Sequence, residues 1–139
     1  MNDPGIGETP DDIGRGSDHV RMFVSDTLIR APHDATVREL AQRMAAEGVG
    51  ALVVIEGDQV HGIVSERDVI VAIAAGKDLD LTIAADIDSR RVLTCTPDTS
   101  VQAAAVLMME HYVRHLLVKD PTGPLGIVSA RDLLGAYAV

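Results

Sequence analysis

The sequence has few aromatic residues, a single cysteine and no long apolar run, and each shortage excludes a class of protein. Phe23, Tyr112 and Tyr137 are the only Phe, Tyr or Trp side chains. Cys95 has no partner for an internal disulfide, which favours a reducing compartment. The longest apolar runs, such as residues 69–75, fall far short of the ~18 residues of a membrane span. The first residues do not show a positively charged region followed by an apolar region, which is the pattern of a secretory signal. We therefore expect no secretory signal and a cytoplasmic location.

Positive charge is also scarce. The chain carries 12 Lys and Arg residues against 21 Asp and Glu residues, a net charge of −9. An acidic surface repels phosphate groups, so we expect no nucleic-acid partner and no membrane partner. Residues 1–18 are rich in Gly, Pro and Asp and have no apolar period, which predicts a disordered acidic tail.

What the sequence does contain is a repeated phrase. GIVSERD at residues 62–68 returns as GIVSARD at residues 126–132, which is 64 residues later. At that fixed offset, residues 33–70 and 97–134 align without a gap and share 13 identities in 38 positions. A constant offset over that length indicates a tandem repeat of one supersecondary unit.

Each repeat predicts the order β-α-β-β-α. Helical periodicity begins at Val37 and again at Val101, and the short apolar runs at 51–55 and 115–118 are typical of buried strands. Gly-containing turns then lead into the repeated phrase, which ends in a second helix. We therefore predict a first repeat over 19–76, a linker over 77–90 that contains one helical turn, and a second repeat over 91–139.

This double pattern resembles the tandem cystathionine β-synthase (CBS) domain pair, also called a Bateman module, over residues 20–138. The resemblance implies an α/β fold of the α+β type, a disc in which the two repeats are related by a pseudo-two-fold axis. It also implies a homodimer, and clefts between the repeats that bind AMP, ADP, ATP or S-adenosylmethionine. In many relatives the module regulates another protein, so the resemblance implies a separate, unknown regulated partner.

The Ser-x-x-Asp part of the phrase has two interpretations. Ser65 and Asp68 have the spacing of a capping box that begins a helix. The same helix start presents free backbone N–H groups that suit phosphate, and a carboxylate there could accept two ribose hydroxyls. The resemblance assigns the ribose to Asp68 with Ser65 and to Asp132 with Ser129.

The resemblance extends the predicted ligand site to neighbouring strands and turns. It places the base between aliphatic side chains and backbone edges, and it implies that each cleft combines both repeats. Because Arg114 and His115 would attract phosphate to a cleft completed by Asp68, we expect Asp68→Asn to be the more damaging variant. The remaining predicted site residues are Ile63, Ile127, Ala31, Thr94, Thr96, Val53 and Leu117.

Other candidate sites are weaker. Residues 57–62 have the glycine spacing of a phosphate loop, but Ile63 and Val64 follow where Lys and Ser or Thr are required. His111 and His115 have no nearby third metal ligand, and His33 and His61 are isolated in the sequence. With no nucleophile beside a base, we predict neither catalysis nor a metal or other required cofactor. The alternative to a ligand sensor is a ligand-free dimerisation module.

Overall fold

The computed structural model describes residues 17–24 and 28–137, and the β-α-β-β-α order occurs twice within them. By contacts, the described residues form two units, which we call the first unit (28–92) and the second unit (17–24 with 93–137). The predicted tail at 1–18 lies outside the described residues except for its last two. The elements of the first unit are β1 (Arg30–Pro32), α1 (Val37–Glu47), β2 (Ala51–Glu56), β3 (Gln59–Ser65), α2 (Glu66–Ala74) and α3 (Ala84–Ile87). Those of the second are β4 (Thr94–Cys95), α4 (Val101–His111), β5 (His115–Asp120), β6 (Gly123–Ser129) and α5 (Ala130–Leu134), with 3₁₀ turns at Val20–Met22 and Gly135–Tyr137.

The first unit is a three-stranded sheet with helices packed on one face. The strand order is β1-β2-β3, with β1 parallel to β2 and β2 antiparallel to β3. The capping box predicted at Thr36 begins α1, and Gly48 ends that helix in the left-handed conformation at φ 67°. Apolar side chains of strands and helices meet in one core cluster, which includes Ile29, Val37, Leu40, Met44, Leu52, Val54, Val64 and Val69.

The second unit repeats this arrangement. Its strand order is β4-β5-β6 with the same mixture of parallel and antiparallel pairing. Its core cluster uses equivalent positions, among them Val101, Ala104, Met108, Leu116, Val118, Val128 and Leu133. Two mixed three-stranded sheets with helices confirm the predicted α+β class.

The predicted linker is part of the first unit. Residues 82–88 lie against the start of α1, while residues 18–24 lie against the start of α4 in the second unit. We call these two stretches the lead-in segments. Residues 18–24 precede the first repeat but pack with the second unit, and residues 82–88 precede the second repeat but pack with the first unit. The contact division thus differs from the predicted bounds of 19–76, 77–90 and 91–139. The lead-in segments share no identical residue at the 64-residue offset, so the sequence comparison gave no sign of their equivalence.

The turns agree with the glycine pattern, but the last helix is shorter than the sequence suggests. Gly57 and Gly123 turn the two hairpins at φ 62° and 126°, values that favour glycine. The predicted helical turn in the linker is α3. The final α-helix ends at Leu134 and continues as a 3₁₀ turn to Tyr137, and residues 138–139 lie outside the described residues.

Candidate functional site

The first Ser-x-x-Asp motif lies where β3 ends and α2 begins. Ser65 is the N-cap, and its backbone N–H donates to Asp68 Oδ2 at 2.8 Å. In return, the Asp68 backbone N–H donates to Ser65 Oγ at 3.3 Å. The capping interpretation is therefore confirmed. Both residues are only partly buried, and Asp68 Oδ1 takes no part in the cap, so the carboxylate retains an acceptor for a ligand hydroxyl.

The second motif has the same geometry. The Ser129 backbone N–H donates to Asp132 Oδ2 at 2.8 Å, and the Asp132 backbone N–H donates to Ser129 Oγ at 3.0 Å. The helix that follows is shorter, with five residues in α5 against nine in α2. The two motifs are thus equal in local geometry, while the helix behind Asp68 is the longer one.

In the first unit, most of the predicted aliphatic residues share a sheet face with the motif. Val53 is paired with Ile63, and Ser65 lies two residues beyond Ile63 on the same strand. Side chains alternate along a strand, so these three lie on one face, the one without the core cluster. Val53 and Ile63 are nevertheless buried. Ala31 is one residue out of phase and packs in the core cluster, so only its backbone could border a ligand on that face.

The second unit has the equivalent row. Leu117 is paired with Thr94 on one side and Ile127 on the other, while His115 is paired with Ser129. Alternation again places all five on one face. Thr96 follows β4, where its backbone N–H donates to Thr99 Oγ1 at 3.1 Å. Between Thr94 and Thr96, Cys95 is directed into the core, and burial raises the pKa of its thiol.

The surroundings of the two motifs differ in charge. In the first unit, the Glu66 carboxylate lies over Gly50, 2.7 Å from where a Cβ would stand. The equivalent positions in the second unit are Ala130 and Arg114, and Arg114 is exposed. The first unit therefore has a carboxylate beside its motif and the second unit has a guanidinium, at different positions, and the second is the better setting for phosphate.

Sequence reasoning missed one polar contact. His61, which is isolated in the sequence, places Nδ1 2.5 Å from Oδ2 of Asp88. The Asp88 side chain is fully buried. No spacing in the sequence pointed to this pair, because Asp88 lies in a segment that was predicted to be a linker.

Over residues 17–24 and 28–137, no three His, Cys, Asp or Glu side chains come together as a metal-binding group. In the same part of the chain, no helix has the length and apolarity needed to cross a membrane.

Comparison with known proteins agrees with the repeat and its fold. The family model of the CBS domain matches twice, at residues 20–75 and 84–139. The mitochondrial CBS domain-containing protein CBSX3 of Arabidopsis thaliana is 36% identical over 109 residues, which is 74% of this chain and 53% of that protein. The chain spans 53% to 63% of the length of the first three curated relatives it matches.

Solved structures match over most of the chain. A putative signal-transduction protein with CBS domains from Burkholderia ambifaria has a TM-score of 0.79 at 28% identity, covering 86% of this chain and 93% of that one. A CBS domain protein from Pyrobaculum aerophilum, complexed with AMP, has a TM-score of 0.73 at 32% identity, covering 83% of this chain and 89% of that one.

Proposed function

Because the chain belongs to the CBS domain family, whose members are regulatory modules, we propose that it is a sensor of an adenosine-containing ligand. The ligand class is AMP, ADP, ATP or S-adenosylmethionine. In this proposal, ligand binding changes how the module acts on a separate protein, and the chain itself catalyses no reaction. A cytoplasmic location fits this function.

The observation that carries the proposal is the pair of half-exposed carboxylates at Asp68 and Asp132. Each is held at a strand-to-helix junction by a cap that uses Oδ2. A carboxylate fixed in this way can accept a ribose hydroxyl without losing the cap. Of the aliphatic side chains on the same sheet faces, Ile127 is partly exposed and suits the apolar face of a purine, whereas Val53, Ile63 and Leu117 are buried behind that surface.

The charge of the site favours a ligand with few phosphates. The chain has a net charge of −9, and Glu66 stands beside the first motif. Arg114 is an exposed cation beside the second motif, and a triphosphate would need several such partners or a metal ion. We therefore favour AMP or another lightly charged adenosyl compound, and the AMP complex of the Pyrobaculum aerophilum relative is consistent with this choice.

We also propose that the chain functions as a homodimer. Large apolar side chains lie exposed on helices of both units, including Ile70, Val71 and Ile73 on α2, Val106 and Met109 on α4, and Leu134 on α5. Apolar residues grouped on helix surfaces mark interfaces in soluble proteins. A two-fold pairing of identical chains is the commonest way to cover them.

Thermal unfolding with a panel of ligands tests the sensor. A ligand that binds only the native state raises Tm, by an amount that grows with its concentration relative to Kd. We expect AMP or S-adenosylmethionine at millimolar concentration to raise Tm, and GMP and ribose 5-phosphate to act as controls for the base and the sugar phosphate. If no adenosyl compound raises Tm, the ligand-free dimerisation module is the better description, because the exposed apolar helices require no ligand.

A further inference from the structure

The two lead-in segments dock through the same backbone hydrogen bonds. In the first unit, Val37 N–H donates to Thr82 O at 2.9 Å and Ala84 N–H donates to Ala35 O at 2.8 Å. In the second unit, the matching bonds are Val101 N–H to Asp18 O at 2.8 Å and Val20 N–H to Thr99 O at 2.9 Å. Backbone bonds carry no information about side chains, so they cannot tell one lead-in segment from the other.

The side chains differ where the lead-in segments end. The first unit pairs Asp88 of its lead-in segment with His61 of β3. The equivalent residues in the second unit are Val24 and Leu125, both apolar. One lead-in segment therefore ends in an acid that meets an imidazole, and the other ends in an aliphatic residue.

The polar pair is deeply enclosed. The side-chain exposure is 0% for Asp88 and 13% for His61. The carboxylate lies directly on the backbone of Gly62, where a Cβ would overlap Asp88 Oδ2. Among the described residues, Asp88 Oδ1 accepts no hydrogen bond, and Arg90 Nε is 3.9 Å away. His61 thus supplies the hydrogen bond on which the buried carboxylate depends.

A buried hydrogen-bonded pair is a poor source of stability, because two apolar side chains of similar volume are often as stable. Removing His61 is costly, because the buried carboxylate then loses its side-chain hydrogen bond, and Arg90 at 3.9 Å is too distant to donate one. If the segment carrying Asp88 docked on the second unit, its carboxylate would face Leu125 with no hydrogen-bond donor at that position. The pair therefore discriminates between two docking arrangements that are equivalent for the backbone.

We propose that His61 and Asp88 form a recognition pair that assigns the lead-in segment 82–88 to the first unit. Its role is to specify which segment docks on which unit, and the pair adds little to net stability. Ser89, the next residue, pairs with Ile63 through N–H to O bonds of 2.9 and 3.0 Å in both directions. Correct docking of the segment therefore also fixes the edge of β3 at Ile63. The proposal does not depend on ligand binding.

Three variants of the full chain test the proposal by thermal unfolding. H61L removes the hydrogen-bond partner of the buried Asp88 carboxylate and is expected to lower Tm by roughly 10 °C. H61L/D88V copies the apolar pair of the second unit and is expected to melt within roughly 3 °C of the wild type. L125H is the matched control, since it makes the reverse change at the equivalent position and leaves no buried carboxylate without a hydrogen-bond partner. Its Tm is expected to change little.

Hydrogen exchange separates recognition from general stability. In H61L the amides of Val37 and Ala84, which hold the segment 82–88, should exchange faster, while that of Val20 in the other lead-in segment should keep its protection. Recovery of Val37 and Ala84 protection in H61L/D88V would support a matching role. The proposal is overturned if H61L/D88V melts as low as H61L, if H61L melts with the wild type, or if all three amides lose protection equally.

Discussion

The two units have similar core residues but differ in the residues they expose to solvent. Val37, Met44 and Leu52 in the first unit have identical buried counterparts at Val101, Met108 and Leu116 in the second, as a comparison of the core clusters shows. On the outer side of the first helix, by contrast, Gln42 and Ala45 are replaced by Val106 and Met109. Met109 is 76% exposed. Burial maintains the residues that build the fold, while the outward positions are free to acquire separate roles.

At the second helices, both units expose large apolar residues. In α2 the exposed apolar residues are Ile70, Val71 and Ile73, whereas the equivalent residues in the second unit are Leu134, Gly135 and Tyr137. On the helices, the exposed large apolar residues of the first unit are therefore confined to α2, while those of the second unit extend to α4. Because the exposed surface of α1 is polar and that of α4 is apolar, we predict that self-association depends more on the second unit.

The largest effect should come from placing a charge on α4. Met109→Glu is expected to weaken the proposed homodimer by about 100-fold or more, because a carboxylate buried in an interface without a partner is costly. Ala45→Glu is the matched control at the equivalent exposed position of α1 and should leave the dimer intact. Sedimentation equilibrium measures both. Equal dimer affinities for Met109→Glu and Ala45→Glu would contradict the prediction that α4 contributes more to self-association than α1.

A smaller effect should separate two glycines of the first unit. In Gly62→Ala the new Cβ would meet the Ser89 carbonyl oxygen at 2.6 Å as well as the buried Asp88 carboxylate, and neither can move freely. We expect a loss of about 2 kcal/mol in the free energy of unfolding. In Gly50→Ala the Cβ meets only the exposed Glu66 side chain, which can rotate away. Urea unfolding that ranks Gly50→Ala as the more damaging change would contradict the packing described around Asp88.

The smallest effect concerns the caps of the first helices. Thr36 and Glu39 form a complete capping box in the first unit, while Ser100 caps α4 alone because Ala103 occupies the acidic position. Glu39→Ala should cost about 0.5 kcal/mol, and Ala103→Glu should gain about the same amount. Chemical denaturation of both variants checks the signs. A loss of stability in Ala103→Glu would mean that the cap is not the limiting difference between these helices.

The sequence predicted the fold and the local geometry of the motifs because both depend on patterns among residues that are near one another in the chain. The repeat offset, the helical periodicity from Val37 and the Ser-x-x-Asp spacing each depend on neighbours in the chain. The contact of His61 with Asp88 joins positions 27 residues apart, and the docking of residues 82–88 joins positions still farther apart, so nothing local signals them. Ala31 was predicted among the site residues, but one step of strand alternation places its side chain in the core.

Calorimetric titration of AMP tests most directly whether the Ser-x-x-Asp carboxylates bind ribose. Asp68→Asn keeps the shape of the cap but loses charge-assisted hydrogen bonds worth about 1.5–3 kcal/mol each, so Kd should rise at least about tenfold. Asp132→Asn, measured beside it, reports whether the second motif is used. The family resemblance predicts the larger loss for Asp68→Asn, whereas Arg114 beside the second motif favours the larger loss for Asp132→Asn. Glu39→Gln alters an equivalent capping carboxylate away from both motifs and should leave Kd unchanged. If wild type, Asp68→Asn and Asp132→Asn all bind AMP with the same Kd, the two carboxylates only begin helices and the account of the site is wrong.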